Sequence, residues 1–227
     1  MAVLCDPDQF DAEWINRIKP YTQWIDIILV GGSLIAENKL DDVIGEIKTH
    51  LHLPVWIFPG SSLQISSQAD GLLFLSLVSS RNPEYLIGQQ VQAAPHIYAA
   101  GIEVLPCGYL LVDGGRVSTT AYITQSIPIP SDRVEVGIAT ALAAKYLGMQ
   151  SIYLEAGSGA IHPIPSSFID GVKRTVGLPL WVGGGIRQAD QVYAAWKAGA
   201  DVVVVGNVLE SENPFFKDLQ ELKKTII

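Results

Sequence analysis

Cysteine is scarce in this sequence: Cys5 and Cys107 are the only two, and they lie far apart in apolar surroundings. Two such cysteines are typical of reduced thiols in a protein core, since disulfides are rare in the cytosol. The chain begins Met-Ala-Val-Leu-Cys, without the basic segment and cleavage site of a signal peptide. We therefore expect a cytoplasmic protein without disulfides.

Positive charge is also scarce. The sequence has 15 lysines and arginines against 23 aspartates and glutamates, and its formal net charge is −8 at pH 7. This balance disfavours contact with nucleic acid and with anionic lipid surfaces, so we expect no nucleic-acid partner. If the protein binds phosphate, backbone amides, helix termini and a metal ion must take the place of a basic patch.

Long hydrophobic runs are missing too. Hydrophobic residues make up 48% of the sequence, but they occur in runs of strand length that are too short to span a bilayer. We expect a soluble protein with no stable membrane insertion. A parallel sheet buried on both faces accounts for most of the apolar content. The remainder indicates an apolar ligand cavity or a subunit interface, and we expect a homo-oligomer.

Short apolar runs alternate with longer amphipathic segments along the whole chain. The apolar runs predict eight strands, at residues 3–5, 24–30, 55–58, 71–75, 103–112, 151–154, 179–182 and 202–205. The amphipathic segments predict seven helices, at residues 8–18, 38–50, 82–94, 132–147, 166–176, 188–198 and 213–225. Strands that alternate with helices predict a closed parallel (β/α)8 TIM barrel of the α/β class, as a single domain over residues 1–227.

Two connections break this alternation. Residues 59–68 are too polar for a long helix, so the third helix should be short or replaced by a loop. Residues 112–129 contain Gly114-Gly115 and a run of small polar residues, which predicts a hairpin-like insertion after the fifth strand.

Two glycine-rich turns follow the last two predicted strands. The first is Gly183-Gly184-Gly185, and the second is Gly206-Asn207, one β/α unit later. Glycine lets the backbone approach a ligand closely, which leaves N–H groups available to an anion. Because paired turns of this kind form the phosphate site of many barrels, we expect them to bind a phosphorylated substrate.

Polar residues follow the first two strands as well. After strand one, a carboxylate of Asp6 or Asp8 either holds Mg²⁺ together with substrate phosphates or caps the first helix. We favour a ligand role for Asp6 and a capping role for Asp8. Ser33 ends the turn Gly31-Gly32-Ser33, which either accepts a phosphate and a metal ion or is simply a tight turn.

The sixth predicted strand leads into Glu155 and the flexible segment Ala156-Gly157-Ser158-Gly159. A carboxylate in this position is a candidate general base, because it can accept a proton from a bound alcohol. The alternative is an ion pair across the mouth of the barrel.

Taken in chain order, these segments resemble one family, the geranylgeranylglyceryl phosphate synthases and their bacterial relatives. The resemblance spans nearly the whole chain. Its most specific motif is Tyr-Leu-Glu-Ala-Gly-Ser-Gly-Ala at residues 153–160, whereas Gly-Gly-Gly-Ile-Arg at residues 183–187 is shared with other phosphate-binding barrels. The remaining motifs lie at residues 6–8, 31–33, 58–61, 69–70, 82–83, 103–110 and 206–207.

The resemblance implies a Mg²⁺-dependent prenyltransferase of ether-lipid biosynthesis. It would join sn-glycerol 1-phosphate to an allylic prenyl diphosphate, with geranylgeranyl diphosphate as the expected donor, and release diphosphate. Asp6 and Ser33 would hold Mg²⁺ with the donor, and Glu155 would bind the glycerol hydroxyls and take the proton. The residues implied for binding glycerol 1-phosphate are Tyr153, Leu154, Glu155, Ala156, Gly157, Ser158, Gly159, Gly184, Gly185, Gly206 and Asn207.

Two positions depart from the family pattern. Leu4 and Gln9 stand where one bacterial branch and many members, respectively, have lysine. Together with residues 103–109, these departures favour the branch that contains the archaeal-type C20 enzymes. Two other functions stay open at this point. A sugar-phosphate isomerase or epimerase would explain the glycine turns, and a phosphoprenyl-binding barrel without catalytic activity is compatible with the same pattern.

Overall fold

The structure, a computed structural model, describes residues 1–35, 39–206 and 215–226. Its strands are β1 (Ala2–Cys5), β2 (Ile27–Val30), β3 (Val55–Ile57), β4 (Gly71–Leu77), β5 (Glu103–Leu111), β6 (Ser151–Glu155), β7 (Leu180–Gly183) and β8 (Val202–Val205). Neighbouring strands are parallel, and β8 pairs with β1 to close the barrel. The predicted TIM barrel is confirmed.

The helices surround this barrel. They are α1 (Ala12–Ile18), α2 (Leu40–Leu51), α3 (Gln89–Ala100), α4 (Thr119–Thr124), α5 (Val134–Tyr146), α6 (Ser166–Val176), α7 (Ala189–Lys197) and α8 (Phe215–Ile226). Each of the seven predicted helices has a counterpart here, and α4 is additional. Among the described residues, none of the helices has the length and apolar character that crossing a membrane requires.

Two apolar layers explain why the strands are such continuous hydrophobic runs. One layer fills the inside of the barrel, and the other lies between the strands and the helices. Adjacent strand residues point to opposite layers, so most residues of a strand are buried on one side or the other, although β5 begins with two exposed residues. Inner-layer examples are Leu29, Leu73, Cys107 and Val204, and outer-layer examples are Ile28, Leu72, Leu110 and Val203.

The region between β5 and α5 differs from the prediction. A hairpin-like insertion at residues 112–129 is wrong, because its one isolated strand bridge, between Val112 and Ile129, is parallel and the segment contains α4. The Ser118 hydroxyl accepts a backbone N–H three residues on and so caps the start of α4. Gln125 ends the helix in the left-handed conformation with φ of 52°.

The first predicted helix also differs. Residues Pro7–Gln9 form a separate 3-10 turn, and α1 begins only at Ala12. Asp11 caps α1 by accepting the Trp14 N–H at 2.7 Å, so the capping role predicted for Asp8 is wrong.

Between β3 and β4, the chain forms a loop without a helix, as predicted for the third helix. The loop is pinned to its neighbours by Gln64, whose side chain is 92% buried. The Gln64 Oε1 atom accepts the Gly60 N–H at 2.9 Å, and Nε2 donates to the Gly32 carbonyl at 3.1 Å. The missing helix leaves room beside the barrel wall.

Candidate functional site

The carboxyl ends of the strands surround a cavity of about 570 Å³, which we call the barrel cavity. Parallel strands bring the residues that follow them to the same end of a barrel, which is where barrel active sites lie. Nine of the predicted site residues line it: Asp6, Ser33, Tyr153, Glu155, Ser158, Gly159, Gly184, Gly185 and Gly206. Leu154, Ala156 and Gly157 are not among its lining residues, and Asn207 lies outside the described residues.

A second cavity, of about 120 Å³, opens where the third helix is missing, and we call it the side channel. Its walls come mainly from β4, α3, α4 and the loop after β3. The apolar lining residues are Ile65, Leu72, Phe74, Leu75, Leu77, Ala93, Ile97 and Ile123. Gly32, Ser33, Phe58, Tyr109 and Thr120 line both cavities, so they form the neck between a polar space and an apolar one.

Glu155 is the last residue of β6 and is buried in the barrel cavity. Its Oε1 atom accepts the Gly157 N–H at 2.7 Å. Burial raises the pKa of Glu155 to about 7, although the hydrogen bond from Gly157 and the nearby Tyr153 hydroxyl act in the opposite direction. None of the ion pairs among the described residues involves Glu155, so the ion-pair interpretation finds no support there.

Three aromatic rings lie together at the base of the barrel cavity. The Tyr153 ring stacks on Phe58 at 5.0 Å and on Tyr109 at 5.4 Å between ring centroids. Burial raises the pKa of both tyrosines well above the usual value, so both hydroxyls stay protonated. The Tyr153 hydroxyl is close enough to Glu155 to influence its pKa, but its geometry falls outside that of a hydrogen bond, which leaves a buried polar atom without a partner in the described structure.

The glycine turn after β7 is required by close packing against the carboxylate. Gly184 has φ of +83°, and a Cβ atom there would lie 2.3 Å from the Glu155 Oε1 atom and 2.7 Å from the Gly157 nitrogen. Gly185 has φ of +71°, and its Cβ would lie 2.7 Å from the His162 carbonyl oxygen. Both positions therefore exclude larger residues.

Arg187 holds the segment that follows β6, residues 156–162, which we call the β6 loop. Its guanidinium donates to the Ala160 carbonyl at 2.6 Å and to the Ile161 carbonyl at 3.3 Å. The sequence analysis gave Arg187 no role of its own, and no local signal assigns one, because its partners lie 26 and 27 residues away.

Asp6 and Ser33 lie on the opposite side of the barrel cavity from Glu155 in strand order. The Asp6 Oδ1 atom accepts the Asp8 N–H at 3.0 Å, so Asp6 caps the short 3-10 turn, and its Oδ2 atom faces Gly32. Burial raises the pKa of Asp6, and the hydrogen bond from Asp8 opposes that rise. The Ser33 hydroxyl lies 2.9 Å from the Thr120 hydroxyl.

The oxygen ligands of Asp6 and Ser33 suit a hard cation. Among the described residues, no group of three or more histidine, cysteine or acidic side chains could hold a metal ion alone. One carboxylate and one hydroxyl are oxygen donors, and Mg²⁺ is typically held by one or two carboxylates, with substrate phosphates and water completing its coordination. Asp6 and Ser33 therefore fit Mg²⁺ that arrives with a phosphorylated substrate.

The chain is similar in sequence to known proteins along nearly its whole length. A profile of the PcrB family matches residues 2–226. The chain is 45% identical over 222 residues to the geranylgeranylglyceryl phosphate synthase of Chitinophaga pinensis. The matched region covers 97% of this chain and 88% of that protein. It is 42% identical over 225 residues to the enzyme of the same name from Thermococcus kodakarensis, and the matched region covers 98% of this chain and 88% of that protein.

Solved structures give the same result. The (S)-3-O-geranylgeranylglyceryl phosphate synthase of Thermoplasma acidophilum, in complex with its substrate sn-glycerol-1-phosphate, superposes with a TM-score of 0.89 and 36% identity over 99% of this chain and 92% of that one. The N-acetylmannosamine-6-phosphate 2-epimerase of Clostridium perfringens covers 100% and 92%, with a TM-score of 0.55 and 13% identity. The second similarity extends to the fold alone and gives no support to an epimerase activity.

Proposed function

The chain belongs to the PcrB family, and from that premise we propose that it is a geranylgeranylglyceryl phosphate synthase. It joins the hydroxyl of sn-glycerol 1-phosphate to an allylic prenyl diphosphate, with geranylgeranyl diphosphate as the donor, and it forms an ether lipid precursor. The observation that carries this proposal is the position of the buried Glu155 carboxylate, in a polar cavity that opens through a neck into an apolar channel.

The acceptor occupies the side of the barrel cavity formed after β6, β7 and β8. Its phosphate binds backbone N–H groups at the glycine turns, and Glu155 accepts a hydrogen bond from the glycerol hydroxyl. The unpartnered Tyr153 hydroxyl gives the acceptor another polar contact. The proposed binding residues are Tyr153, Leu154, Glu155, Ala156, Gly157, Ser158, Gly159, Gly184, Gly185, Gly206 and Asn207.

The donor occupies the other side. Its diphosphate lies near Asp6 and Ser33, and its apolar chain passes through the neck into the side channel, whose walls exclude water from the allylic carbons. Asp6 and Ser33 would hold Mg²⁺, which neutralises charge on the departing diphosphate when it is bound. No lysine at positions 4 and 9 supplies that charge in this chain.

The transfer needs one base and two aligned substrates. The acceptor hydroxyl oxygen forms a bond to the first carbon of the prenyl chain while the bond from that carbon to the diphosphate oxygen breaks. The hydroxyl proton passes to Glu155, and diphosphate leaves with the bonding electrons. Binding both substrates at one neck holds the reacting atoms together, and the raised pKa of Glu155 suits a base that works near neutral pH.

A product assay tests the proposed function directly. Purified protein with Mg²⁺ and sn-glycerol 1-phosphate should transfer prenyl groups from a ladder of C15 to C35 diphosphates. Chelation of Mg²⁺ should abolish turnover, because the diphosphate then leaves without charge neutralisation. The enantiomer sn-glycerol 3-phosphate serves as the matched control and should react far more slowly. Absence of ether product from every donor would refute the proposal.

The pH dependence of the reaction should follow Glu155. The base works only when deprotonated, so kcat/KM should rise with pH and level off above about pH 7, the pKa to which burial raises this carboxyl. The residual activity of a Glu155→Gln variant should lack this rise, whereas any contribution from ionisation of the substrate phosphate remains in both proteins. If the Glu155→Gln variant showed the same rise of kcat/KM with pH, a group other than Glu155 would be responsible for it.

We also propose that the whole chain is one catalytic domain that assembles as a homo-oligomer in the cytoplasm. Large apolar side chains on α3, α4 and α5 support assembly, since Tyr98, Tyr122 and Tyr146 are 90%, 78% and 79% exposed. The two buried thiols, Cys5 and Cys107, agree with a reducing compartment. Light scattering at micromolar concentration should give a multiple of the chain mass, and a monomer mass would contradict assembly.

A further inference from the structure

Thr120 has no role in the function described so far, although it lies at the neck between the two cavities. We propose that its hydroxyl binds the diphosphate of the prenyl donor beside Ser33. This inference rests on the proposed function, because it names a further donor-binding residue for the same reaction. Three observations lead to it: the position of Thr120, its hydrogen-bond partners, and the shortage of positive charge around the donor.

Thr120 lies where the polar and the apolar cavity meet. A prenyl diphosphate has a charged head and an apolar tail, so its first carbon must lie where a polar space meets an apolar one. Of the five residues that line both cavities, only Ser33, Tyr109 and Thr120 carry a hydroxyl group. Because the Ser33 and Thr120 oxygens are 2.9 Å apart, one phosphate oxygen can lie within hydrogen-bond distance of both.

The Thr120 hydroxyl can form a hydrogen bond beyond its contact with Ser33. A threonine hydroxyl has one proton to donate and two lone pairs that accept. The Thr120 oxygen can accept the Ser33 proton at 2.9 Å. In that arrangement the Thr120 proton is available to an anion. The backbone is held in place, because Thr124 Oγ1 donates to the Thr120 carbonyl at 2.7 Å.

Positive charge is scarce among the described residues around the proposed donor site. Among the described residues that line the two cavities, Arg187 is the one lysine or arginine, and its guanidinium donates to carbonyl groups of the β6 loop. Leu4, which also lines the barrel cavity, is uncharged. Backbone N–H groups, the metal ion and neutral hydroxyl groups therefore share the direct contacts to the diphosphate, and Thr120 is placed to supply one of those hydroxyl groups.

Direct binding measurements separate this role from catalysis. The probe is a prenyl thiolodiphosphate, in which sulfur replaces the bridging oxygen so that transfer is very slow, titrated with Mg²⁺ by calorimetry. Thr120→Val keeps the shape but removes the hydroxyl, and it should raise the Kd of the probe about 10-fold. Thr120→Ser should restore affinity to within about 3-fold of the unchanged protein. The Kd for sn-glycerol 1-phosphate should stay the same in both variants.

A double-mutant cycle decides whether Thr120 contacts the donor or only orients Ser33. If Thr120 binds the diphosphate itself, Thr120→Val weakens probe binding in a Ser33→Ala background as well. If it acts only through Ser33, the effect disappears there and the inference is wrong. A Kd within about 2-fold of the unchanged protein for Thr120→Val would also overturn it.

Two controls keep the outcome clear. Thr140 lies on the exposed side of α5 with its hydroxyl bonded to the Val136 carbonyl, so Thr140→Val removes a helical hydroxyl far from the neck and should leave probe binding unchanged. Turnover of the unchanged protein with geranylgeranyl diphosphate tests the proposed function separately. If the unchanged protein turns over and Thr120→Val binds normally, only the inference fails. If Thr120→Val does not fold, Thr120→Ala is measured by the same criteria.

Discussion

Replacement of Glu155 by glutamine is expected to lower kcat by about 10²- to 10⁴-fold, the range typical of losing a general base. Glutamine keeps the size of the side chain and keeps an oxygen that can accept the Gly157 N–H. The segment that follows β6 should therefore keep its conformation. The lost property is the ability to take the proton of the glycerol hydroxyl. The Kd for prenyl diphosphate should change little, because the proposed donor site is on the Asp6 side of the cavity. Steady-state kinetics with both substrates varied, together with donor titration, measures both effects.

Asp113 offers a matched control for this substitution. Like Glu155, it accepts the backbone N–H of the residue two positions on, in this case Gly115 at 2.9 Å, but it lies outside the lining of the barrel cavity. Asp113→Asn should therefore leave kcat unchanged. If Glu155→Gln keeps more than a tenth of the original kcat, Glu155 is not the base. Loss of kcat together with equal loss of donor binding would instead indicate a damaged site.

Replacement of Gly184 by alanine should have the second large effect. The added Cβ would lie 2.3 Å from Glu155 Oε1 and 2.7 Å from the Gly157 nitrogen, and both must move to make room. Displacement of catalytic groups by about 1 Å can cost about 100-fold in rate, so we expect at least that loss in kcat/KM for the acceptor. The positive φ adds a stability cost of about 1–2 kcal/mol. Acceptor kinetics and thermal unfolding measure the two effects.

Gly177 separates strain from obstruction. It ends α6 with φ of +70°, close to the +83° of Gly184, but a Cβ there would meet nothing within 4 Å. Gly177→Ala should cost a similar amount of stability from its backbone conformation and leave acceptor kinetics intact. Equal kinetic losses in the two variants would mean that global destabilisation, and not the contact with Glu155, explains the effect of Gly184→Ala.

Features set by local sequence were predictable. The alternation of apolar and amphipathic segments predicted the barrel, and the polar stretch after β3 predicted the missing helix. The sequence placed Glu155 and the glycines at 184 and 185 at the barrel mouth because they end or follow strands, and strand ends meet at one face of a barrel. α4 was misread as a hairpin because its short helix depends on the Ser118 cap more than on a periodic apolar face.

Features set by distant partners were not predictable. The Ser33 and Thr120 hydroxyls are 87 residues apart in sequence, and Gln64 is 32 residues from the Gly32 carbonyl that it binds. A threonine in a polar segment or a glutamine in a loop has no local pattern that marks such a contact. The raised pKa of Glu155 likewise comes from burial by the closed barrel, which no neighbouring residue indicates.

The two cavities have separate origins in the chain, and this makes the protein modular. The side channel is built from β4, α3, α4 and the loop after β3, whereas the residues proposed to bind the acceptor end or follow β6, β7 and β8. Only the five neck residues belong to both: Gly32, Ser33, Phe58, Tyr109 and Thr120. Selection or engineering can therefore reshape the channel for another donor while the acceptor's stereochemistry, read by different strands, is inherited unchanged.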